Sequence, residues 1–307
     1  MSLASTDETA ARCRACGSTD EGVVVWTSRN IREGLSTRGA YVRCNSCHSL
    51  NLRPVPTAEE LARAYDSVAM TQPGIPARRK GLRALLRGWF PNPHEAPGRA
   101  PAAGRRLLDV GCGAGGKLRR FQELGWDCYG TDISPQAIAH ASEVVPKERL
   151  FAGVLAQAPF QEHTFDVVRT DNVIEHLLMP ATDLTEARRF LRPGGHLYVY
   201  VPHADGLLVR LFRAAAISSW IPFHLTLFSV EGLKALLARA GFTDVDISSY
   251  GPPDWFELTA DQYAEIHHLG SGARSASRGV ARGLSRPLGL ASSWAMMGDE
   301  LIARATL

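Results

Sequence analysis

Three observations in this sequence predict an α/β fold built on a mostly parallel sheet and preceded by a small cysteine-rich module. From residue 105 onward, short apolar strands alternate with helical patterns, the order that lays crossover helices over a parallel sheet. A glycine-rich run follows the first of these strands. Four of the six cysteines form two Cys-x-x-Cys pairs near the beginning of the chain.

The elements follow in order. Residues 106–110 read as a short apolar strand, 117–124 as a helix, 128–131 as a second strand and 135–143 as a second helix. A third strand is expected at 150–152 and a fourth at 165–169, with a helix at 184–191. The turn Arg192-Pro193-Gly194-Gly195 launches a fifth strand at 196–201. A helix at 230–240 ends at Gly241, as glycine favours, and 245–248 form a sixth strand. Residues 299–305 read as a last strand beside the sixth, which makes 251–296 a helical insertion between them; a C-terminal helix from Ala291 is the alternative.

Ahead of this domain, residues 1–12 read as a disordered start and 13–56 as the four-cysteine module. Residues 57–104 form a helical and basic linker with a possible lid. Thr57 and Glu60 have capping-box spacing. Residues 77–90 pattern as a basic amphipathic helix carrying Arg78, Arg79, Lys80, Arg83 and Arg87, with Trp89 and Phe90 placed to close over a ligand. The main domain occupies 105–307, with insertions near 203–229 and 251–296.

The net charge of +3 is too small to argue for nucleic acid as a partner. The start of the chain lacks the apolar core of a leader peptide. The most apolar stretch outside the strands, 207–223, is interrupted by Arg210 and Arg213 and is too short to span a bilayer. Paired cysteines without a leader read as metal ligands before disulfides, so a reducing, cytoplasmic setting is expected.

The run Asp109-Val110-Gly111-Cys112-Gly113-Ala114-Gly115-Gly116 joins a strand to a helix. Its glycines let the backbone approach a ligand closely, and a helix N-terminus beyond them favours a negative group. Gly111, Gly113 and Gly116 match the dinucleotide pattern, and Asp132 stands where a ribose-binding acid belongs. On these residues alone a nicotinamide enzyme fits. The wider pattern resembles the class I S-adenosylmethionine-dependent methyltransferases, in the Asp109 to Gly115 segment, in Thr131-Asp132-Ile133-Ser134, in Phe165-Asp166-Val167-Val168 with Asn172-Val173-Ile174-Glu175-His176-Leu177, and in Leu191-Arg192-Pro193-Gly194-Gly195. Together these cover roughly 105–202.

The resemblance implies a Rossmann-like sheet of seven strands with the last one antiparallel, and S-adenosylmethionine as cofactor. It implies that Asp109, Gly111, Gly113 and Gly115 shape the loop and that Asp132, with Ile133, takes the ribose. It also implies that Leu155 lies at the adenine, and Asp171 and Asn172 at the methionine end. Where the family often carries an acid for the adenine amino group, this chain has Val154, so backbone near Leu155 and apolar packing take that role.

Cys13, Cys16, Cys44 and Cys47 suit one tetrahedral zinc, and a site closed by four thiolates is structural. His48 is not needed as a ligand. Residues 23–26 and 41–43 supply strands for a zinc ribbon, and Gly17 permits the tight turn of the first knuckle. The arrangement resembles bacterial methyltransferases with an N-terminal zinc-binding domain, commonly enzymes that tailor sugars, polysaccharides and natural products.

Transfer to an alcohol, phenol or acidic carbon needs a base at the carboxyl ends of the strands. His203 follows the fifth strand, His224 precedes the helix at 230, and His176 belongs to a Glu-His pair; these are the candidates. Residues 207–220 form an apolar cover in which Arg210 or Arg213 can meet an anionic group. The expected acceptor is a small molecule or sugar, methylated on oxygen. An RNA methyltransferase and a non-catalytic cofactor-binding adaptor are the alternatives; no dense basic face with interleaved aromatics supports nucleic acid.

Overall fold

A computed structural model describes residues 12–29, 38–57, 59–61, 63–64, 94, 96–102 and 104–307. The basic stretch expected at 77–90, with Trp89 and Phe90, lies outside the described residues, as does the start of the chain before Arg12.

The main domain begins with β4 (Arg106–Val110), after three strands of the cysteine module, β1 (Glu21–Arg29), β2 (Arg38–Cys44) and β3 (Leu50–Arg53). Then come α1 (Gly116–Glu123), β5 (Asp127–Asp132), α2 (Pro135–Ala141), β6 (Leu150–Ala152) and β7 (Phe165–Asp171). They are followed by α3 (Pro180–Phe190), β8 (Leu191–Pro202), α4 (Leu207–Phe212), β9 (Thr226–Leu227) and α5 (Val230–Arg239). The chain closes with β10 (Thr243–Tyr250), α6 (Pro253–Ile266), α7 (Ser271–Trp294) and β11 (Glu300–Thr306).

Seven strands form one sheet in the order β10-β11-β8-β7-β4-β5-β6. The pairs β4–β5, β4–β7, β5–β6 and β7–β8 are parallel, and β11 runs antiparallel to both β8 and β10. The last strand therefore slots between the fifth and the sixth, and 251–296 forms the helical hairpin of α6 and α7. Strand order reverses at β4, which opens a crevice beyond the carboxyl ends of β4 and β7, the usual ligand position in such sheets.

Local chemistry sets the elements. β7 is buried through Asp166–Thr170 on both faces, as a central parallel strand must be. Ser134 accepts a hydrogen bond from Ala137 N at 3.2 Å and Pro135 opens α2, a standard helix start. Pro180 likewise opens α3 one turn earlier than apolar periodicity places it.

The cysteine module does not stand apart. Its strands continue across into the main domain as the sheet β1-β2-β3-β9, with Leu50 opposite Leu227 and Asn51 opposite Thr226. Cys13, Ala15, Cys44 and Cys47 belong to the same buried cluster as Leu233, Leu236 and Leu237 of α5. Trp26, Tyr41, Leu50 and Leu52 pack with Leu208, Ile221, Leu225 and Leu227. A segment of this size buries too little alone, and here it borrows the core of its neighbour. The cover expected at 207–220 is α4 and one turn at Arg213–Ala215; its buried side packs on this second cluster, and Arg210 turns to Asp205 at 3.6 Å.

Candidate functional site

The glycine loop leaves β4 at Val110 and enters α1 at Gly116. Gly111, Gly113 and Gly115 all have positive φ (75°, 53° and 81°), a region that L side chains rarely adopt. Their surroundings differ. A Cβ on Gly111 would lie 2.4 Å from Val173 Cγ2, and one on Gly115 3.1 Å from Ala141 Cα. One on Gly113 would meet nothing within 4 Å. Gly111 and Gly115 are thus fixed by packing, while Gly113 faces open space at the crevice, a cradle that fits close approach of a ligand.

Asp132, at the end of β5, accepts from Gly113 N through Oδ2 and from Ser134 N through Oδ1, both at 2.9 Å. A carboxylate has about four acceptor sites, so ribose hydroxyls can share it. The neighbouring Ile133 is 74% exposed, an apolar surface at the same rim. Val154 is exposed while Leu155 is buried.

Arg169 organises the floor of the crevice. It sits on central strand β7 with no exposed surface. Its guanidinium donates to Asp109 Oδ1 at 3.2 Å and to Asp171 Oδ2 at 2.6 Å. It lies 4.9 Å from the Phe121 ring and 5.1 Å from that of Tyr200. Burial pushes the Asp109 carboxyl above its ordinary pKa, and Arg169 opposes that rise. Asp171 Oδ2 also meets Lys117 Nζ and, at 3.0 Å, His94 Nδ1. Burial, and then Arg169, lower Lys117 to about 8. Asn172, in the left-handed region at φ 55°, donates to Asp171 Oδ1 at 3.0 Å and to Glu300 Oε1 at 3.1 Å. His94 Nε2 stands 2.7 Å from Glu300 Oε2, and its ring stacks on Tyr200.

Of the three candidate histidines, two converge. The His176 and His224 rings are 4.8 Å apart, and Glu175 joins them. His203 is held elsewhere, with Nδ1 2.8 Å from the Gly298 carbonyl in a buried position. Burial lowers His176 to about 3 and His224 to about 4. Both imidazoles are therefore neutral at pH 7.

Sequence reading passed over Arg169, Lys117, His94 and Glu300. The available signal was a charged residue inside a strand otherwise buried on both faces, because such a charge demands partners. His94 and Glu300 come from opposite ends of the domain, and spacing gives no hint of their meeting.

The four cysteine Sγ atoms lie within 4.8 Å of one another. Cys13 and Cys47, and Cys16 and Cys44, are 3.6 Å apart. A tetrahedral cage with ~2.3 Å zinc–sulfur bonds has sulfur edges of about 3.8 Å, so the donor set and spacing fit zinc. Each pair forms a knuckle: Gly17 N donates to Cys13 O and His48 N to Cys44 O, both at 2.8 Å. Gly17 (φ 82°) and His48 (φ 64°) occupy the same left-handed position in the two turns. His48 is thus a turn residue. Asn51 Nδ2 donates to Cys13 Sγ at 3.3 Å, support that a thiolate ligand needs.

Comparison with known proteins agrees with this geometry. Residues 80–247 match the family described as a methyltransferase domain. A probable S-adenosylmethionine-dependent methyltransferase of Mycolicibacterium smegmatis is 32% identical over 140 residues, 46% of this chain and 52% of that protein. The chain thus spans about half the length of that relative. A ubiquinone biosynthesis O-methyltransferase of Cereibacter sphaeroides is 28% identical over 189 residues, 57% of this chain and 75% of that protein. The crystal structure of the [4+2]-cyclase SpnF superposes with a TM-score of 0.51 at 21% identity, covering 82% of this chain and 96% of that one. That likeness concerns the fold, since a shared fold does not carry function.

Proposed function

The chain belongs to the methyltransferase-domain family, and on that premise we propose that its S-adenosylmethionine-dependent transfer is to a hydroxyl of a small-molecule or sugar acceptor. The observation that carries the oxygen acceptor is the likeness, over three quarters of its length, to a relative named as a ubiquinone biosynthesis O-methyltransferase. No helix among the described residues is long and apolar enough to cross a membrane.

S-adenosylmethionine supplies an electrophilic methyl group. The residues of this chain bind and orient it. Asp132 holds the ribose hydroxyls, with Ile133 against the sugar and base. Gly111, Gly113 and Gly115 shape the loop, and Gly113 keeps its open side clear. Leu155 lies at the adenine. Asp109 and Arg169 keep the floor rigid and dry. Asp171 offers its carboxylate to the ammonium at the methionine end, Lys117 its charge to the carboxylate there, and Asn172 orients Asp171. His176 and His224 stand on the acceptor side, with His203 as the remaining candidate base; orientation and exclusion of water supply much of the rate. Zinc on Cys13, Cys16, Cys44 and Cys47 would hold the two knuckles of the ribbon together, and the pairing of β3 with β9 would carry that rigidity to the segment containing His224.

Calorimetry with S-adenosylmethionine and NAD, on the wild type and Asp132→Ala, tests the cofactor side. Micromolar S-adenosylmethionine binding, lost in the variant, is expected; NAD binding in its place overturns the assignment. Methyl-tritiated cofactor offered with phenols, sugars, amines and RNA tests the acceptor. Label on oxygen is expected, and label confined to amines or RNA refutes the proposal.

A further inference from the structure

Glu175 is the most anomalous side chain in the described structure. It has no exposed surface, and neither carboxylate oxygen has a hydrogen-bond partner. A buried polar group without partners costs about 1–3 kcal/mol, and a charged one more. Native proteins retain such a group where something else satisfies it.

What faces Glu175 is a pair of imidazoles. His176 Nε2 is 3.7 Å from Glu175 Oε1. One carboxylate oxygen and one nitrogen from each of His176 and His224 lie within 4.8 Å of one another. Both rings are held from behind: His176 Nδ1 is 3.0 Å from the Phe223 carbonyl, and His224 Nδ1 is 2.7 Å from the Ser218 carbonyl. For His224 the carbonyl at Nδ1 makes that nitrogen the N–H donor and leaves the lone pair on Nε2; His176 is held by the backbone of both Phe223 and Asn172. This is how ligating histidines are oriented in metal sites.

The framework around them is rigid. Leu225 N donates to the Glu175 carbonyl at 2.8 Å, and Tyr41 of the ribbon donates from its hydroxyl to the His224 carbonyl at 2.8 Å. Trp220 lies edge-on to both rings.

We propose that Glu175, His176 and His224 form a second metal site, separate from the four cysteines, that takes a divalent transition cation such as zinc, manganese or iron. One carboxylate with two imidazoles suits cations of intermediate softness, whereas four thiolates select zinc. Three protein ligands leave a coordination position open, the feature that separates catalytic from structural sites. Asn172, three residues before Glu175, binds Asp171 and Glu300, so the site adjoins the end of the crevice assigned above to the methionine moiety. The cation satisfies Glu175, and an oxygen of the acceptor can fill the open position. With the cation present, His176 and His224 are ligands and not bases. The existence of the site stands independently of the acceptor proposed above.

Cobalt reports both sites at once. Purified protein is stripped with chelator, reloaded with Co2+, and read by elemental analysis and absorption. Two cobalt ions per chain are expected, one with the intense thiolate charge-transfer band of a four-sulfur site and one with only weak visible bands. Glu175→Gln and His224→Gln each remove the second ion and leave the thiolate band, which also reports that the chain is folded. Cys13→Ser removes the band and keeps the weak spectrum. Calorimetric titration of the wild type with Mn2+, which thiolates bind poorly, gives a result that needs no variant: one site is expected. A wild type that holds cobalt only in the thiolate site, or Gln variants that still bind two ions, overturns the proposal.

Discussion

Arg169→Met puts the strongest demand on the description of the crevice floor. The guanidinium is fully buried between Asp109 and Asp171. Methionine keeps a long apolar stem against Phe121 and Tyr200 but removes the charge and both hydrogen bonds. Breaking a buried ion pair from one side costs about 3–5 kcal/mol, because the remaining carboxylate stays buried and unpaired. For a domain of this size each 1 kcal/mol shifts Tm by about 2–4 °C, so Tm at pH 7 should fall by roughly 10 °C. The loss should shrink as pH falls, since protonating Asp109 removes the unpaired charge, and burial already pushes that carboxyl up. Adding Asp109→Asn should then cost far less in the Arg169→Met background than in the wild type, a coupling read by a double-mutant cycle. Scanning calorimetry at pH 5 and pH 7 provides the numbers. A drop below 2 °C at pH 7, or additive effects of the two substitutions, would refute the view that Arg169 neutralises the floor.

Other outcomes follow from the same geometry. Gly111→Ala should destabilise by about 2–3 kcal/mol, since strain at positive φ adds to the clash with Val173. Gly113→Ala should cost about 1–2 kcal/mol and weaken S-adenosylmethionine binding at least tenfold; chemical denaturation and calorimetry separate the two. Burial raises Asp299 to about 7, against hydrogen bonds from Leu208 and Val209. The folded chain therefore holds a proton that the unfolded chain has released. Asp299 favours the fold fully below about pH 4, and that contribution is lost as pH rises to 7. Asp299→Asn should gain stability relative to wild type across this window, by up to the order of 4 kcal/mol; equal pH profiles would contradict it. Cys44→Ser should remove the ribbon's zinc and, through β3 and β9, alter the environment of His224. Elemental analysis and the His224 ring resonances by NMR measure the two effects.

How much the sequence determined is clearest at the glycine loop. A strand, three glycines in alternation and a second acid at the end of the next strand mark the loop, and the glycines fix its backbone geometry because few residue types tolerate those dihedrals. The seven strands, the antiparallel last strand and the grouping of the four cysteines followed from short-range pattern joined to family likeness. The details of packing did not. Residues 192–195 read as a turn after a helix ending at Leu191, yet β8 begins at Leu191 because Leu191 pairs with Phe165 on its neighbour. The sequence offered three candidate histidines, and only the packed chain set His224 against His176 and sent His203 to the Gly298 carbonyl. Tertiary structure alone decided that β3 of the ribbon would pair with β9, 177 positions further on by the register of Leu50 and Leu227. It alone brought Arg169, His94 and Glu300 to one end of the crevice. Local pattern encodes dihedral preference and burial over a few residues. Partners for buried charges are chosen by which strand ends the sheet order brings together, and that order spans the whole chain.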